Sequence, residues 1–273
     1  MSKKKNYKKI YLVGNKSFLQ RNLYEKFKNK KCFIKITFDK IFNEKLSKND
    51  LVVNFSNHIN FYKKSYIKKF DRNLILAKFL KSTKTKFIMI STRQVYKPKM
   101  NLNEKSKIEP ISIYGQNSYL SELNCKKILK SNILILRLTN IIGNDSKKKK
   151  RPSLMGMIID GYKKRVIEFD NNYFLKKDLL PINNFSEILF KVIKHNLSGI
   201  YNVGSGKPIR INLFMNQILS KRKVEIKIIN KIKFNDKDFS INPRKLFDVI
   251  KYNFTKKMLI NEINSLKKTF LKL

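Results

Sequence analysis

The stretch Lys8–Phe27, KKIYLVGNKSFLQRNLYEKF, decides how the rest of the chain is read. Ile10 to Val13 form a short β-branched and aromatic run closed by Gly14, and apolar residues then fall at Phe18, Leu19, Leu23 and Phe27. That spacing puts them on one face of a helix, so the stretch predicts a strand, a turn and an amphipathic helix. The alternation recurs downstream. CFIKITF (32–38), DLVVNFS (50–56), KFIMIS (86–91) and NILILRLT (132–139) are apolar runs of strand length, with helical stretches around 66–81 and 112–130. Strands alternating with helices predict an α/β, Rossmann-like, doubly wound parallel sheet covered on both faces. DLVVNFS and KFIMIS are apolar almost throughout, which suits central strands.

Past Gly143 the rhythm changes. A lysine-rich loop leads to a helix SLMGMIIDGYKK (153–164), a strand VIEF (166–169) and the segment DLLPINNFSEILFKVIKHN (178–196). A strand GIYNVG (199–204), a helix near 212–221, a strand VEIKII (224–229) and a terminal amphipathic helix complete the chain. The expected organisation is a main parallel-sheet unit over 1–143, to which 183–203 returns, and which the family resemblance given below makes the dinucleotide-binding domain. A smaller C-terminal α/β lobe is built from 144–182 and 204–273, and the same resemblance makes it the substrate-binding lobe.

Composition narrows the function classes. The 273 residues carry a formal net charge of +43, with 42% hydrophobic residues, enough for a sizeable core. Such charge points to polyanions. The lysines are nevertheless spread along the chain, apart from the N-terminus and SKKKKR (146–151), and a single Ala and no Trp accompany abundant Lys, Asn, Ile, Phe and Tyr. That pattern fits an AT-biased genome better than a dedicated nucleic-acid patch, while leaving nonspecific adhesion at low salt as an expectation. No window resembles a membrane span or a cleavable leader, so no membrane association and a cytoplasmic location are expected. Cys32 and Cys125 have no metal-type spacing.

In open parallel sheets the ligand-bearing loops follow the carboxyl ends of the strands. There VGNKSFLQRNL (13–23), IMISTRQVYKP (88–98), SIYGQNSYLSE (112–122) and LRLTNIIG (136–143) together resemble the extended short-chain dehydrogenase/reductase superfamily, specifically the NAD-dependent epimerase/dehydratase family of nucleotide-sugar enzymes. DLVVNFSNHINFYKK (50–64) is most similar to the dTDP-4-dehydrorhamnose reductase branch. The resemblance implies NAD or NADP as cofactor, a nucleotide sugar as substrate and a helix-packed homodimer.

It also implies roles for particular residues. Gly14, Ser17, Phe18 and Leu19 would approach the pyrophosphate at a helix N-terminus, although Ser17 and Gln20 stand where the family has glycines. Asp39 would meet the ribose hydroxyls, and Phe55 and Ser56 would line the cofactor. Only 39–50 separates the second strand from DLVVNFS, where the family fits a further strand and helix, so a shortened adenosine pocket is expected. Thr92 would hydrogen-bond the sugar oxygen while Tyr114 moves its proton. Arg93 and Gln94 replace the Asp-Glu pair of the dehydratases, which argues against dehydration by that route. Arg93, Asn140 and Arg151 are the substrate-side candidates. Asn183 and Asn184 stand in for two aspartates.

One turn after the tyrosine the family has a lysine, whose charge favours tyrosinate over a phenol of pKa about 10. Here the residue is Ser118. Three readings follow: an NAD(P)-dependent epimerase or reductase with impaired or altered catalysis, a silent nucleotide-sugar-binding relative or partner subunit, and a polyanion-binding protein on the same fold.

Overall fold

In a computed structural model of the protein, residues 5–14, 17–144, 154–169, 174–219, 224–228 and 237–271 are described. Six strands form one parallel sheet: β1 (Ile10–Val13), β2 (Phe33–Ile36), β3 (Leu51–Asn54), β4 (Lys86–Thr92), β5 (Ile133–Leu138) and β10 (Gly199–Val203). Their spatial order is β10-β5-β4-β3-β1-β2, so DLVVNFS and KFIMIS do supply interior strands. β1 pairs with β2 on one side, Ile10 opposite Phe33, and with β3 on the other, Ile10 opposite Leu51. The direction of winding reverses at β1, and the crevice outside its carboxyl end is the place where such sheets bind ligands.

Alternation along the strands fills both faces. Ile10, Leu12, Leu51, Val53, Ile88, Leu134 and Leu136 pack into the core that holds α1 (Phe18–Phe27) and α5 (Ile182–His195). Tyr11, Val13, Val52, Phe87, Met89, Ile133 and Ile135 pack against α2 (Arg72–Thr83) and α3 (Ile113–Leu129). Phe27 of α1 stacks on Phe190 of α5, ring centres 4.7 Å apart, and on Phe33 of β2 at 5.4 Å. Between β2 and β3 the chain forms only a 3-10 turn, Lys40–Asn43, as the short spacing predicts.

The C-terminal part is assembled from short pairs and helices. β6 (Asn140–Ile142) runs parallel to β9 (Leu179–Pro181), β7 (Val166–Phe169) parallel to β12 (Glu225–Ile228), and β8 (Lys176–Lys177) antiparallel to β11 (Ile209–Arg210). Around them lie α4 (Leu154–Lys164), α6 (Ile211–Ile218), α7 (Arg244–Ile250) and α8 (Lys256–Phe270). The two-residue and three-residue strands and α7 are too short for periodicity to reveal. No helix among the described residues is long and apolar enough to cross a membrane.

Candidate active site

The crevice at the end of β1 is lined by the turn that contains Gly14, the start of α1 and the end of β3. Ser17 precedes α1 with extended backbone angles, and its side chain makes no capping hydrogen bond. The first-turn N–H groups at Phe18 and Leu19 are therefore left to an external acceptor, the arrangement that attracts a phosphate. Gln20 is fully buried, and its Nε2 donates to the carbonyls of Leu12 (2.7 Å), Gly14 (3.1 Å) and Ile36 (3.2 Å). The amide thus joins the ends of β1 and β2. With the amide turned to those carbonyls, the uncapped N-terminus of α1 is the group that would receive a dinucleotide pyrophosphate.

At the end of β3, Ser56 donates its hydroxyl to Asn54 Oδ1 (2.9 Å), and Asn54 Nδ2 donates to Asn73 of α2 (2.7 Å). Phe55 is buried with the core on the α1 side. Asp39 is exposed, three residues past the end of β2 rather than on the strand itself, at the entrance to the 3-10 turn.

β4 delivers Thr92 to the same carboxyl edge. Its hydroxyl accepts from the Gln94 N–H (3.2 Å), which begins a 3-10 turn over Arg93–Val95. α3 docks on this turn through Gly115, where any Cβ would overlap the Gln94 carbonyl oxygen. Ser112 caps α3 by accepting from Gly115 N (3.0 Å) and donates to Gln94 Oε1 (2.7 Å). Thr92 and Tyr114 therefore stand on elements that touch. The tyrosine ring lies against Tyr62 at 4.7 Å and edge-on to Phe61 at 6.2 Å. Asn117, one turn along α3, holds that aromatic loop by donating to the carbonyls of Phe61 (3.0 Å) and Lys64 (2.8 Å). Ser118 is buried, and its hydroxyl donates back to the Tyr114 carbonyl (2.7 Å), so it presents no charge to the phenol.

Beneath the site runs a polar network of which the sequence reading noted only isolated members. Arg137, the one charged residue in the apolar run of β5, donates through Nε to both Glu122 oxygens (3.1 Å each) and through a terminal nitrogen to Tyr96 Oη (2.8 Å). Ser91 donates to the same carboxylate, and Tyr96 donates to Asn202 Oδ1 (3.1 Å). Burial alone would lower the guanidinium's pKa, but the hydrogen bonds and charge of Glu122 outweigh it and raise it. A lone arginine inside a strand of six buried residues was the signal that could have found this pair.

On the substrate side, Asn140 opens β6 and its Nδ2 donates to the Asp178 carbonyl (3.4 Å). Asp178 is fully buried and accepts from Ser205 N (2.9 Å) and Oγ, Gly206 N (3.3 Å) and Ile241 N (3.3 Å), stitching β9, β10 and the C-terminal segment together. Burial still leaves its pKa raised. Asn184 donates to Tyr252 Oη (2.8 Å) within the packing of α5. Arg93 lies over the Phe239 ring at 4.0 Å. Arg151 lies outside the described residues.

A parallel sheet wound outward from β1 in both directions, with Gly14 and the start of α1 at its carboxyl edge, defines a Rossmann-like α/β fold. The sequence model of the NAD dependent epimerase/dehydratase family matches residues 3–204, and the chain belongs to that family. It is an NAD(P)-binding member of the extended short-chain dehydrogenase/reductase superfamily. No curated protein matches the sequence. Among solved structures, UDP-N-acetylglucosamine 4-epimerase from Methanobrevibacter ruminantium M1, in complex with UDP-N-acetylmuramic acid, superposes with a TM-score of 0.77 at 16% identity, covering 100% of this chain and 99% of that one. RMD from Pseudomonas aeruginosa complexed with NADPH gives 0.75 at 16% identity, covering 96% and 99%. A dTDP-4-dehydrorhamnose reductase from Clostridium acetobutylicum ATCC 824 gives 0.73 at 18% identity, covering 95% and 99%.

Proposed function

We propose that the protein is an NAD(P)-dependent nucleotide-sugar epimerase or reductase in which Tyr114 is the acid/base and Thr92 orients the reacting oxygen, with catalysis altered by the serine at 118. The observation that supports this most directly is the contact at Gly115, which seats the start of α3 against the turn that follows Thr92. NAD(P), when bound, exchanges a hydride with a sugar carbon. The chain's own residues do the rest. The α1 N-terminus and Gly14 hold the pyrophosphate, the Thr92 hydroxyl hydrogen-bonds the sugar oxygen, and the Tyr114 phenol passes a proton to or from that oxygen.

An ammonium one helical turn from the phenol would favour its anion, and Ser118 supplies none. Proton transfer is therefore slow unless the pH is high. Steady-state assays of wild type and Ser118→Lys across pH 6–10, with NADH and NADPH, test this. The lysine variant should turn over faster near neutrality, and its rate should rise at lower pH. Equal rates at every pH would remove Ser118 as the cause, and the absence of nucleotide-fluorescence change with either cofactor would favour a silent relative.

Two partner readings go with the proposal. Ile113, Leu120 and Leu123 leave large apolar side chains exposed on α3, so a homodimer packed through this helix is the expected assembly. Light scattering with Leu120→Glu/Leu123→Glu would check it, since a dimer should become a monomer. The charge of +43 supports weak nucleic-acid adhesion that disappears with added salt.

A further inference from the structure

Between the Arg93–Val95 turn and the start of α3 lies a cavity of 240 Å³, lined by Arg93, Gln94, Ser112, Lys177, Lys237 and Phe239 among others, none of them acidic. It is smaller than the roughly 300–1,000 Å³ of a drug-sized ligand's pocket, which suits one sugar ring. Its position is set by chain continuity: Arg93 follows Thr92, and Ser112 precedes Tyr114 by two residues.

Arg93 is half-buried; its carbonyl accepts from Tyr96 N (3.0 Å), while among the described residues its guanidinium makes no hydrogen bond or ion pair. Its guanidinium rests on the face of Phe239, a residue itself fixed by backbone hydrogen bonds to Lys176 (3.0 Å) and Asp178 (3.1 Å). Burial lowers the guanidinium's pKa to about 10, and it stays charged at neutral pH. Asp178 acts on it only through space, because four donors already occupy that carboxylate. A partly desolvated, rigidly stacked arginine with no acid of its own is a receptor for a planar oxyanion.

Resting on the nucleotide-sugar reading above, we infer that Arg93 selects a substrate whose reacting sugar carries a carboxylate, held by the guanidinium fork with Lys177 and Lys237 adding positive field. Uncharged hexoses would leave the guanidinium unpaired.

Calorimetry on the full chain with UDP-glucose, UDP-glucuronate and UDP alone, in parallel with NADH titration, tests the assignment. UDP-glucuronate should bind about tenfold or more tighter than UDP-glucose, the scale of a charged hydrogen-bonded pair. Arg93→Gln should bring that ratio towards one and Arg93→Lys should keep only part of it, with thermal melts confirming that both variants fold. Binding of the two sugars with equal affinity, or a ratio that survives Arg93→Gln, overturns the inference while leaving the nucleotide-sugar reading in place. If NADH binds but none of these uridine ligands, nor dTDP or dTDP-glucose titrated in the same way, does, the nucleotide-sugar reading fails first and the inference falls with it.

Discussion

Replacing Arg137 by methionine should destabilise the protein more than almost any other single change, because of what it leaves behind. Both side chains of the pair are almost inaccessible, 3% exposed for Arg137 and 2% for Glu122. In the intact fold the carboxylate receives Nε and a terminal nitrogen of Arg137 together with the Ser91 hydroxyl. Without the guanidinium only the serine remains, and Tyr96 Oη loses its 2.8 Å donor as well. Removing one partner of a buried ion pair costs about 3–5 kcal/mol. At roughly 2–4 °C per kcal/mol for a chain of this size, the melting temperature should fall by about 6–20 °C. Calorimetric or fluorescence melts of Arg137→Met, Glu122→Leu and the double variant provide the assay. The double variant should recover most of the loss, since two apolar side chains replace two charges. A single-variant shift under about 3 °C, or a double variant no more stable than Arg137→Met, would refute the claim that an uncompensated carboxylate dominates.

Other substitutions probe other contacts. Gly115→Ala drives a methyl group into the Gln94 carbonyl, so it should cost about 1–3 kcal/mol and reduce turnover by parting Tyr114 from Thr92; normal stability with normal rates would show that the two elements need no such contact. Gln20→Gly removes the buried amide's hydrogen bonds to the Leu12, Gly14 and Ile36 carbonyls and should cost about 1–3 kcal/mol, with NADH affinity little changed; a large gain in affinity would mean that the amide takes space the dinucleotide needs. Burial raises the Glu262 carboxyl to about 6, a shift that the Asn183 hydrogen bond reduces only in part. A raised acid destabilises the fold only where the unfolded carboxyl would ionise, so stability falls as pH climbs from about 4.5 to above 6. Glu262→Gln should therefore gain about 1–2 kcal/mol over wild type at pH 7.5 and nothing below pH 4.5; a gain independent of pH would sink this account.

The sheet was legible because its residues obey a period. Strands such as ILILRL and LVVN are buried along their whole length, and the helices between them carry apolar faces, so the succession of elements and the interior place of DLVVNFS and KFIMIS could be read directly, whereas the spatial order of the strands could not. Cofactor-loop chemistry was legible in part. The resemblance implies a glycine where Gln20 stands, but whether a glutamine there projects outward or folds under depends on the carbonyls of Leu12 on β1, of Gly14 just after it and of Ile36 on β2, which only the assembled sheet brings together. Asp178 was missed for the same reason. Its donors come from residues 205, 206 and 241, and no local pattern announces an acid that organises three separated segments. Asp39 shows the opposite error: an acid after an apolar run looks like a strand end, whereas β2 closes at Ile36 and the chain has already turned.

In the function proposed above, a lysine at position 118 would have two jobs. One is electrostatic, bringing a charge to the phenol; the other is local, filling a buried place on α3 beneath the tyrosine. Ser118 performs the second by bonding to the Tyr114 carbonyl, so the helix keeps its geometry without the charge. Asn117 likewise turns its donors to the loop that carries Phe61 and Tyr62, packing aromatic rings beside the phenol. On the proposed reading position 118 lacks the charge but not the local packing, which is why Ser118→Lys is informative. A scaffold that had drifted in both respects could not be rescued by one ammonium, whereas one that had lost only the charge should respond to its return. Restoration of activity near neutral pH by that single substitution would mean that the surrounding site is still arranged for hydride and proton transfer; no gain, with a correctly folded variant, would mean that the tyrosine's surroundings now serve packing alone.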